Sequence, residues 1–273
     1  MINLSAIRHL IIDMDGVLWH GDHPLPPTSR FFATLRELGL RFVLATNNAS
    51  KTVEDYQKKL AGFGVRVDLE EIMTSPQATA AYLKLHAPTA RIYAIGEPGL
   101  VKELQHAGLT VVPPDQPDGA THVVVGWDRN LTYAKLAEAC LLIRAGAVFI
   151  GTNPDVTYPD ARGIVPGNGA TLALLRAATD VDPIIIGKPQ PDMILQAMTR
   201  MGGSPANTAV IGDRLDTDIV GGQRAGLPTI LVLSGVTDRR LAEASPIQAD
   251  AVFEDVGALA DALNKARRMK NQG

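Results

Sequence analysis

Four short apolar runs in this sequence are each followed by polar residues that could do chemistry together. The first run, 9–12, leads directly into Asp13 and Asp15, which carry two negative charges a few ångströms apart. Such a pair is unfavourable unless a cation or a transferable proton lies between the two carboxylates. The alternative is that the pair belongs to a polar turn closed by Gly16, which ordinary turn chemistry also allows.

The other three groups combine a hydroxyl, an amide, a lysine and further carboxylates. They are Thr46 and Asn47 after the run 41–45, Lys188 after the run 183–186, and Asp213 with Asp218 after the run 208–211. Because the carboxyl ends of parallel strands lie along one edge of a sheet, we expect all four groups to converge there. Taken singly, each has an ordinary explanation as a helix cap, a solvated lysine or a turn between strand and helix.

The converged side chains predict phosphoryl transfer. Carboxylates are hard oxygen ligands, and a small number of them suits Mg²⁺ rather than zinc. A hydroxyl, a lysine ammonium and backbone amides near helix starts suit the non-bridging oxygens of a phosphate. A carboxylate within reach of phosphorus can attack it and form an aspartyl-phosphate.

The elements that would position these residues alternate between strands and helices. Apolar runs predict strands at 9–12, 41–45, 91–95, 122–125, 147–150, 183–186, 208–211 and 228–233. Helical spacing predicts helices at 28–38, 50–62, 76–86, 132–145, 168–178, 190–201 and 216–225. This alternation predicts an α/β protein in which a parallel sheet is covered by helices.

The composition excludes several classes of function. With 273 residues, 46% of them hydrophobic and 20% charged, the chain is expected to fold into packed domains. The net charge of −3, mixed along the chain, predicts neither a nucleic-acid polymer nor a membrane as partner. Cys140 is the single cysteine, and the N-terminus lacks the pattern of a signal peptide. We therefore expect a cytoplasmic protein.

Taken in order, the motifs resemble the haloacid dehalogenase superfamily of phosphatases. The motifs are Asp-Met-Asp-Gly-Val from Asp13, Thr-Asn-Asn from Thr46, Gly-Lys-Pro around Lys188, and Gly-Asp-x-x-x-x-Asp from Gly212. The long interval between the second and third motifs resembles subclass IIA, whose members carry a large α/β cap there. That branch holds para-nitrophenylphosphatase-like enzymes and phosphatases of sugar or nucleotide phosphates.

The resemblance implies a fold and a division of the chain. The expected core is a Rossmann-like, doubly wound parallel sheet formed by residues 1–77 and 183–273. The expected insertion is an α/β cap domain formed by residues 78–182.

The resemblance also implies a role for each motif residue. Asp13 would be the nucleophile. Asp15 would protonate the leaving alkoxide and then activate water against the aspartyl-phosphate. Thr46 and the Asn47 amide would hold the transferring phosphoryl group. Lys188 would neutralise both the phosphate and Asp13.

For the metal, the resemblance implies Mg²⁺ held by three residues. Asp13 would contribute a carboxylate oxygen, Asp15 its backbone carbonyl, and Asp213 a second carboxylate. Asp218 would orient a metal-bound water or Lys188 without binding the metal itself.

The implied function is Mg²⁺-dependent hydrolysis of a small phosphorylated metabolite. The alternatives are a phosphotransferase such as a mutase, and a non-enzymatic module that senses metal or phosphate. Asn153 and Asp155 lie in a polar loop that either reads the substrate or is an ordinary surface loop. Homodimers joined through caps occur in this branch, and the oligomeric state stays open. We interpret Trp19 as a packing residue.

Overall fold

The structure is a computed structural model that describes residues 2–49, 51–160 and 163–272. Within these residues the chain divides into two compact units. The first unit contains residues up to 46, then 53–73, and the chain from 188 onward. The second unit contains residues 47–52 and 74–187.

Strands and helices alternate along most of the described residues, as the sequence predicts. The strands are β1 (His9–Ile12), β2 (Trp19–His20), β3 (His23–Pro24), β4 (Arg41–Thr46), β5 (Ile72–Thr74), β6 (Arg91–Ile95), β7 (Thr110–Val111), β8 (His122–Val125), β9 (Val148–Gly151), β10 (Thr157–Asp160), β11 (Gly163–Pro166), β12 (Ile184–Ile185), β13 (Thr208–Gly212), β14 (Thr229–Val232) and β15 (Ala251–Phe253). The helices are α1 (Thr28–Glu37), α2 (Val53–Gly62), α3 (Ser75–His86), α4 (Pro98–His106), α5 (Tyr133–Arg144), α6 (Asn168–Thr179), α7 (Asp192–Arg200), α8 (Val220–Arg224), α9 (Arg239–Ala244) and α10 (Val256–Gln272).

The main sheet of the first unit has the strand order β15-β14-β13-β1-β4-β5. Strand β1 pairs in parallel with both β13 and β4, and β14 pairs in parallel with β13 and β15. Numbered among themselves, these strands follow the doubly wound order 3-2-1-4-5-6. The predicted fold class, an α/β protein with a doubly wound parallel sheet, is therefore confirmed.

The strands beside β1 end within two residues of its own end. Ile12 pairs with Ile211 of β13 on one side and with Leu44 of β4 on the other. The strand order reverses at β1, which opens a crevice at the carboxyl ends of the central strands. Polar residues that follow β1, β4 and β13 therefore emerge at one edge of one sheet.

Buried apolar side chains of the first unit support that edge of the sheet. All four residues of β1 are buried, as expected for a central parallel strand covered on both faces. Leu10 and Ile12 join Phe42 and Leu44 in one apolar cluster. Each such side chain contributes about 1.5–3 kcal/mol through its burial.

The second unit has its own parallel sheet, with the order β12-β9-β8-β6-β7. Its apolar cluster includes Val123, Val125 and Phe149. Strands β10 and β11 form a separate antiparallel pair.

The boundaries between the units differ from the predicted ones. The run 183–186 was expected in the first unit, but β12 pairs with β9 and so belongs to the second unit's sheet. All of α3 also lies in the second unit, whose longer segment begins at residue 74 instead of 78 and which also includes residues 47–52. A short apolar run fits an edge position in either sheet, so composition alone does not decide its partner.

Among the described residues, no helix combines the length and the apolar character needed to cross a membrane.

Candidate active site

The buried ammonium of Lys188 joins two carboxylates at the edge of the first unit's sheet. It forms an ion pair with Oδ1 of Asp13, the residue that follows β1. It also donates hydrogen bonds to Oδ1 of Asp218 at 2.7 Å and to the carbonyl oxygen of Ala45 at 3.0 Å. The side chain of Lys188 is 3% exposed, and that of Asp218 is 1% exposed. Two residues predicted from separate motifs, Asp13 and Lys188, are thus in direct contact.

A second carboxylate oxygen fixes Asp218 in place. Its Oδ2 accepts a hydrogen bond from the backbone N–H of Arg214 at 3.1 Å. Because its Oδ1 is bonded to Lys188, both oxygens of Asp218 have partners. This arrangement suits a residue that orients Lys188.

Asp213 has one occupied oxygen and one open oxygen. Its Oδ2 accepts a hydrogen bond from the backbone N–H of Val236 at 2.6 Å. Its Oδ1 is buried, and no described residue donates a hydrogen bond to it. An unsatisfied buried carboxylate oxygen is unfavourable unless a ligand, water or ion binds it.

The donor set fits a hard divalent cation. Ligand oxygens of Asp13, Asp213 and Asp218 lie within 4.8 Å of one another. Among the described residues, Lys188 is the one cation that forms an ion pair with this cluster, so the three carboxylates leave negative charge in excess. Carboxylate oxygens are the ligands that Mg²⁺ prefers, and the open Oδ1 of Asp213 provides a place for it.

The charges of the cluster shift the pKa values of its members. Burial raises the pKa of Asp13 well above its usual value; Lys188 opposes this shift, while Asp218 and Asp213 reinforce it. Burial, then the charge of Asp218, raises the pKa of Asp213 to about 6. Burial would lower the pKa of Lys188, but Asp13 and Asp218 outweigh it and raise that pKa. Without a cation, Asp13 and Asp213 therefore lose their protons at a higher pH than ordinary carboxyl groups, and a bound divalent ion would lower that pH.

Asp15 lies outside the carboxylate cluster and is exposed. Its Oδ1 accepts a hydrogen bond from the indole N–H of Trp19 at 2.7 Å. The carboxylate is therefore available to solvent on one side and anchored on the other. Its predicted contribution to the metal, through the backbone carbonyl, stays a prediction.

The predicted phosphate-binding residues divide between the two units. Thr46 ends β4 in the first unit and is buried, while Asn47 begins the second unit. Asn153 donates from Nδ2 to the carbonyl oxygen of Asn47 at 2.8 Å and accepts at Oδ1 from the N–H of Asp155 at 3.2 Å. Asn47 in turn donates to Oδ1 of Asp155 at 3.4 Å. Both ends of the Asn153 side chain thus bind groups of its own unit, which favours a structural role for it.

Sequence reasoning missed the loop that positions Asp213. Gly16 has φ +80°, and a Cβ atom there would lie 2.3 Å from Oδ2 of Asp213. A Cβ atom on Gly235 would lie 1.9 Å from the same oxygen. Ser234 adds a hydrogen bond from Oγ to the Gly16 carbonyl at 2.8 Å. The only signal in the sequence is a small Ser-Gly pair after a strand, which is common in turns.

Comparison with known families finds two matching segments. Residues 10–110 match the model of the haloacid dehalogenase-like hydrolases, and residues 185–259 match a HAD-hydrolase-like model.

Comparison with individual proteins finds relatives along most of the chain. A 5'-nucleotidase of Bacillus subtilis is 38% identical, covering 86% of this chain and 91% of its own. The crystal structure of a 4-nitrophenylphosphatase from Thermotoga maritima is 36% identical with a TM-score of 0.91, covering 96% of this chain and all of its own. A glycerol phosphate phosphatase from Mycobacterium tuberculosis, in complex with magnesium, is 35% identical with a TM-score of 0.87, covering 94% of this chain and 78% of its own.

Proposed function

This chain belongs to the haloacid dehalogenase-like hydrolase family, and we propose that Asp13 attacks small phosphomonoesters in a reaction that requires Mg²⁺. The chain is a phosphoric monoester hydrolase, as its relatives are. In this proposal the first unit is the hydrolase core and the second unit is the cap. The single cysteine suits a reducing compartment, so we assign the reaction to the cytoplasm.

One observation carries the proposal more than any other. Asp13, Lys188 and Asp213 come from distant parts of the chain and meet at the carboxyl ends of adjacent strands. Three buried or half-buried carboxylates around one ammonium would be unstable as a purely structural device. The arrangement is accounted for if a cation binds and if a phosphate is transferred beside it.

In the first step a carboxylate oxygen of Asp13 attacks phosphorus. The bond between phosphorus and the ester oxygen breaks, and Asp15 gives its proton to the departing oxygen. Lys188, already paired with Asp13, stabilises the negative charge that gathers between the carboxylate and the phosphoryl group. Thr46 and the backbone N–H of Asn47 would donate hydrogen bonds to the phosphoryl oxygens.

In the second step the aspartyl-phosphate is hydrolysed. Asp15, now a carboxylate, takes a proton from a water molecule, and the water oxygen attacks phosphorus. The bond between phosphorus and Asp13 breaks, which restores the free carboxylate and releases inorganic phosphate. No oxidant or further reactant is required.

Mg²⁺ would be held by Asp13, Asp213 and the backbone carbonyl of Asp15. When bound, it supplies positive charge that offsets the phosphoryl oxygens and the excess of carboxylates. Asp218 would act on this site through Lys188.

The relatives differ in the leaving group that their names indicate: a nucleoside, a nitrophenol or glycerol. We propose that the core chemistry is shared and that loops of the second unit select the leaving group. Of the two loop residues predicted to contact the substrate, Asn153 and Asp155, we retain Asp155 in this role. The side chain of Asn153 is already hydrogen-bonded to backbone groups.

The proposal is tested by measuring inorganic phosphate released from nucleoside monophosphates, sugar phosphates, glycerol phosphate and nitrophenyl phosphate. We expect release from at least one of them with Mg²⁺ present, loss of release with EDTA, and recovery when Mg²⁺ is restored. Release that persists unchanged in EDTA, or an isomerised phosphate ester without free phosphate, would contradict the proposal.

A further inference from the structure

Trp19 contacts the acid that the reaction requires, although the sequence suggested only a packing role. The indole ring is fully buried, whereas Asp15 is exposed. A buried tryptophan needs a partner for its N–H group. Here that partner is the Asp15 carboxylate, at 2.7 Å.

The backbone between the two residues reinforces this contact. The N–H of Gly16 donates to the carbonyl oxygen of Trp19 at 2.8 Å, and Asp15 forms a bridge with Trp19. The segment from Asp15 to Trp19 is thus a closed turn, which limits the positions that the Asp15 side chain can take.

Side chains of helix α2 and of the residue after it pack against the indole ring of Trp19. The ring stacks on Tyr56 with centroids 6.3 Å apart and packs against Phe63 at 5.9 Å. The ammonium of Lys59 lies 4.4 Å from the ring centroid and donates to the carbonyl oxygen of Gly21 at 2.6 Å. A cation over an indole face is attracted to the negative charge of the ring, which favours this position of the ring. The indole N–H is therefore a donor with a fixed direction.

We propose that Trp19 is a positioning residue for Asp15, an inference that rests on the proposed function. With Oδ1 accepting from the indole, the transferable proton is directed to Oδ2. An exposed carboxylate on a short side chain would otherwise sample several rotamers. Holding it in one rotamer gives the leaving oxygen a proton donor in a defined place, which is the basis of efficient general acid catalysis.

The effect of a Trp19 variant on the rate should depend on the leaving group if Trp19 assists proton donation. It should not depend on the leaving group if Trp19 only stabilises the fold. Dinitrophenolate departs without a proton, whereas phenolate benefits from one. The parameter kcat/KM reports the steps through departure of the leaving group, so it isolates the acid from the later hydrolysis. The test therefore compares kcat/KM for dinitrophenyl phosphate and phenyl phosphate in each variant.

For Trp19→Phe we expect kcat/KM on phenyl phosphate to fall about 10-fold to 100-fold, and on dinitrophenyl phosphate less than about threefold. Phe63→Leu is the matched control, because Phe63 touches the same ring without touching Asp15. It should change both substrates by the same factor. If Trp19→Phe folds poorly, benzothienylalanine can replace the tryptophan at position 19, which keeps the ring shape and removes the N–H. Trp127, the other tryptophan of the sequence, is first changed to phenylalanine so that the analogue enters only at position 19.

Equal losses on the two substrates, or no loss, would overturn the positioning role while leaving the phosphatase proposal intact. Wild-type protein that releases phosphate from neither ester, and from no other phosphomonoester, would overturn both proposals.

Discussion

The two units each place acidic residues just beyond a central strand, but they neutralise them differently. In the second unit, Asp128 follows β8 by three residues, and its side chain is almost entirely buried. It pairs with Lys135 at 2.7 Å and accepts a hydrogen bond from the N–H of Asn130 at 2.8 Å. One carboxylate thus meets one ammonium, and both of its oxygens have partners.

In the first unit, Lys188 faces Asp13 and Asp218 directly, with Asp213 close by. One oxygen of Asp213 has no donor among the described residues. A matched pair needs nothing further to be stable, whereas surplus buried charge is unfavourable until a ligand or a proton compensates it. The comparison indicates that unbalanced charge, more than the presence of an aspartate after a strand, distinguishes the proposed site from an ordinary ion pair.

Replacing Asp13, the proposed nucleophile, should produce the largest effect. Asp13→Asn is expected to lower kcat for phosphate release at least about 10³-fold, because an amide oxygen does not form the covalent intermediate. Asp128→Asn removes the paired carboxylate of the second unit and should change kcat less than about threefold. Its effect should appear instead as a loss of about 1–3 kcal/mol in the free energy of unfolding. Similar kinetic losses in the two variants would remove the distinction between the units.

Replacing Lys188 and replacing Lys135 should also have different effects on kcat/KM, although by a smaller factor than for the two aspartates. Lys188→Met is expected to lower kcat/KM about 10²-fold to 10³-fold, because it removes charge stabilisation beside the phosphoryl group. Lys135→Met should leave kcat/KM within about threefold of the wild type. Steady-state assays with nitrophenyl phosphate measure both. A Lys188→Met enzyme as active as the Lys135→Met enzyme would contradict the role given to Lys188.

Asp213→Asn should weaken Mg²⁺ binding by about 10-fold to 100-fold, measured by calorimetry without substrate. The folded-state pKa of Asp213, about 6, exceeds its ordinary value of 3.8. Protonation of Asp213 therefore stabilises the fold. This contribution to the free energy of unfolding is complete below a pH of about 3.8 and is lost as the pH rises through about 6.

In EDTA at neutral pH, Asp213→Asn should consequently unfold with a free energy about 1–3 kcal/mol higher than the wild type. The difference should disappear at a pH near 4. A variant that binds Mg²⁺ normally, or that is less stable at neutral pH without metal, would contradict this account of Asp213.

The smallest effect should come from the loop that supports Asp213. Gly235→Ala places a methyl group against Oδ2 of Asp213, so the carboxylate must move. We expect the Mg²⁺ concentration for half-maximal activity to rise about threefold to tenfold. Gly62→Ala is the matched control, since a Cβ atom at Gly62 has no neighbour within 4 Å. An unchanged Mg²⁺ requirement in Gly235→Ala would show that the loop does not position this ligand.

The sequence alone was enough to predict four of the six strands of the main sheet, namely β1, β4, β13 and β14, and the proximity of Asp13 and Lys188. Each predicted strand and helix overlaps an observed one, because buried apolar runs and helical periodicity mark these elements directly. The elements that no pattern marked are mostly short strands or polar helices; they are β2, β3, β5, β7, β10, β11, β15, α4, α9 and α10.

Three features of the molecule could not be derived from the sequence. Strand β12 joined the second sheet, because strand pairing depends on tertiary contacts that a two-residue run does not specify. The hydrogen bond from Trp19 to Asp15 was missed, because hydrophobicity alone suggests packing for a tryptophan. The loop at Gly235 was missed because its contribution is a backbone N–H and an absence of side-chain volume.

Phosphorylation of Asp13 is the step on which the proposed reaction depends most, and a chemical trap can detect it directly. Asp15→Asn with dinitrophenyl phosphate should slow the second step and accumulate the acyl phosphate, which borohydride reduces to homoserine. Peptide mapping by mass spectrometry should then find homoserine at position 13, only when Mg²⁺ and substrate are both present. Release of dinitrophenol with no modification at position 13, or with modification of another residue, would contradict the account.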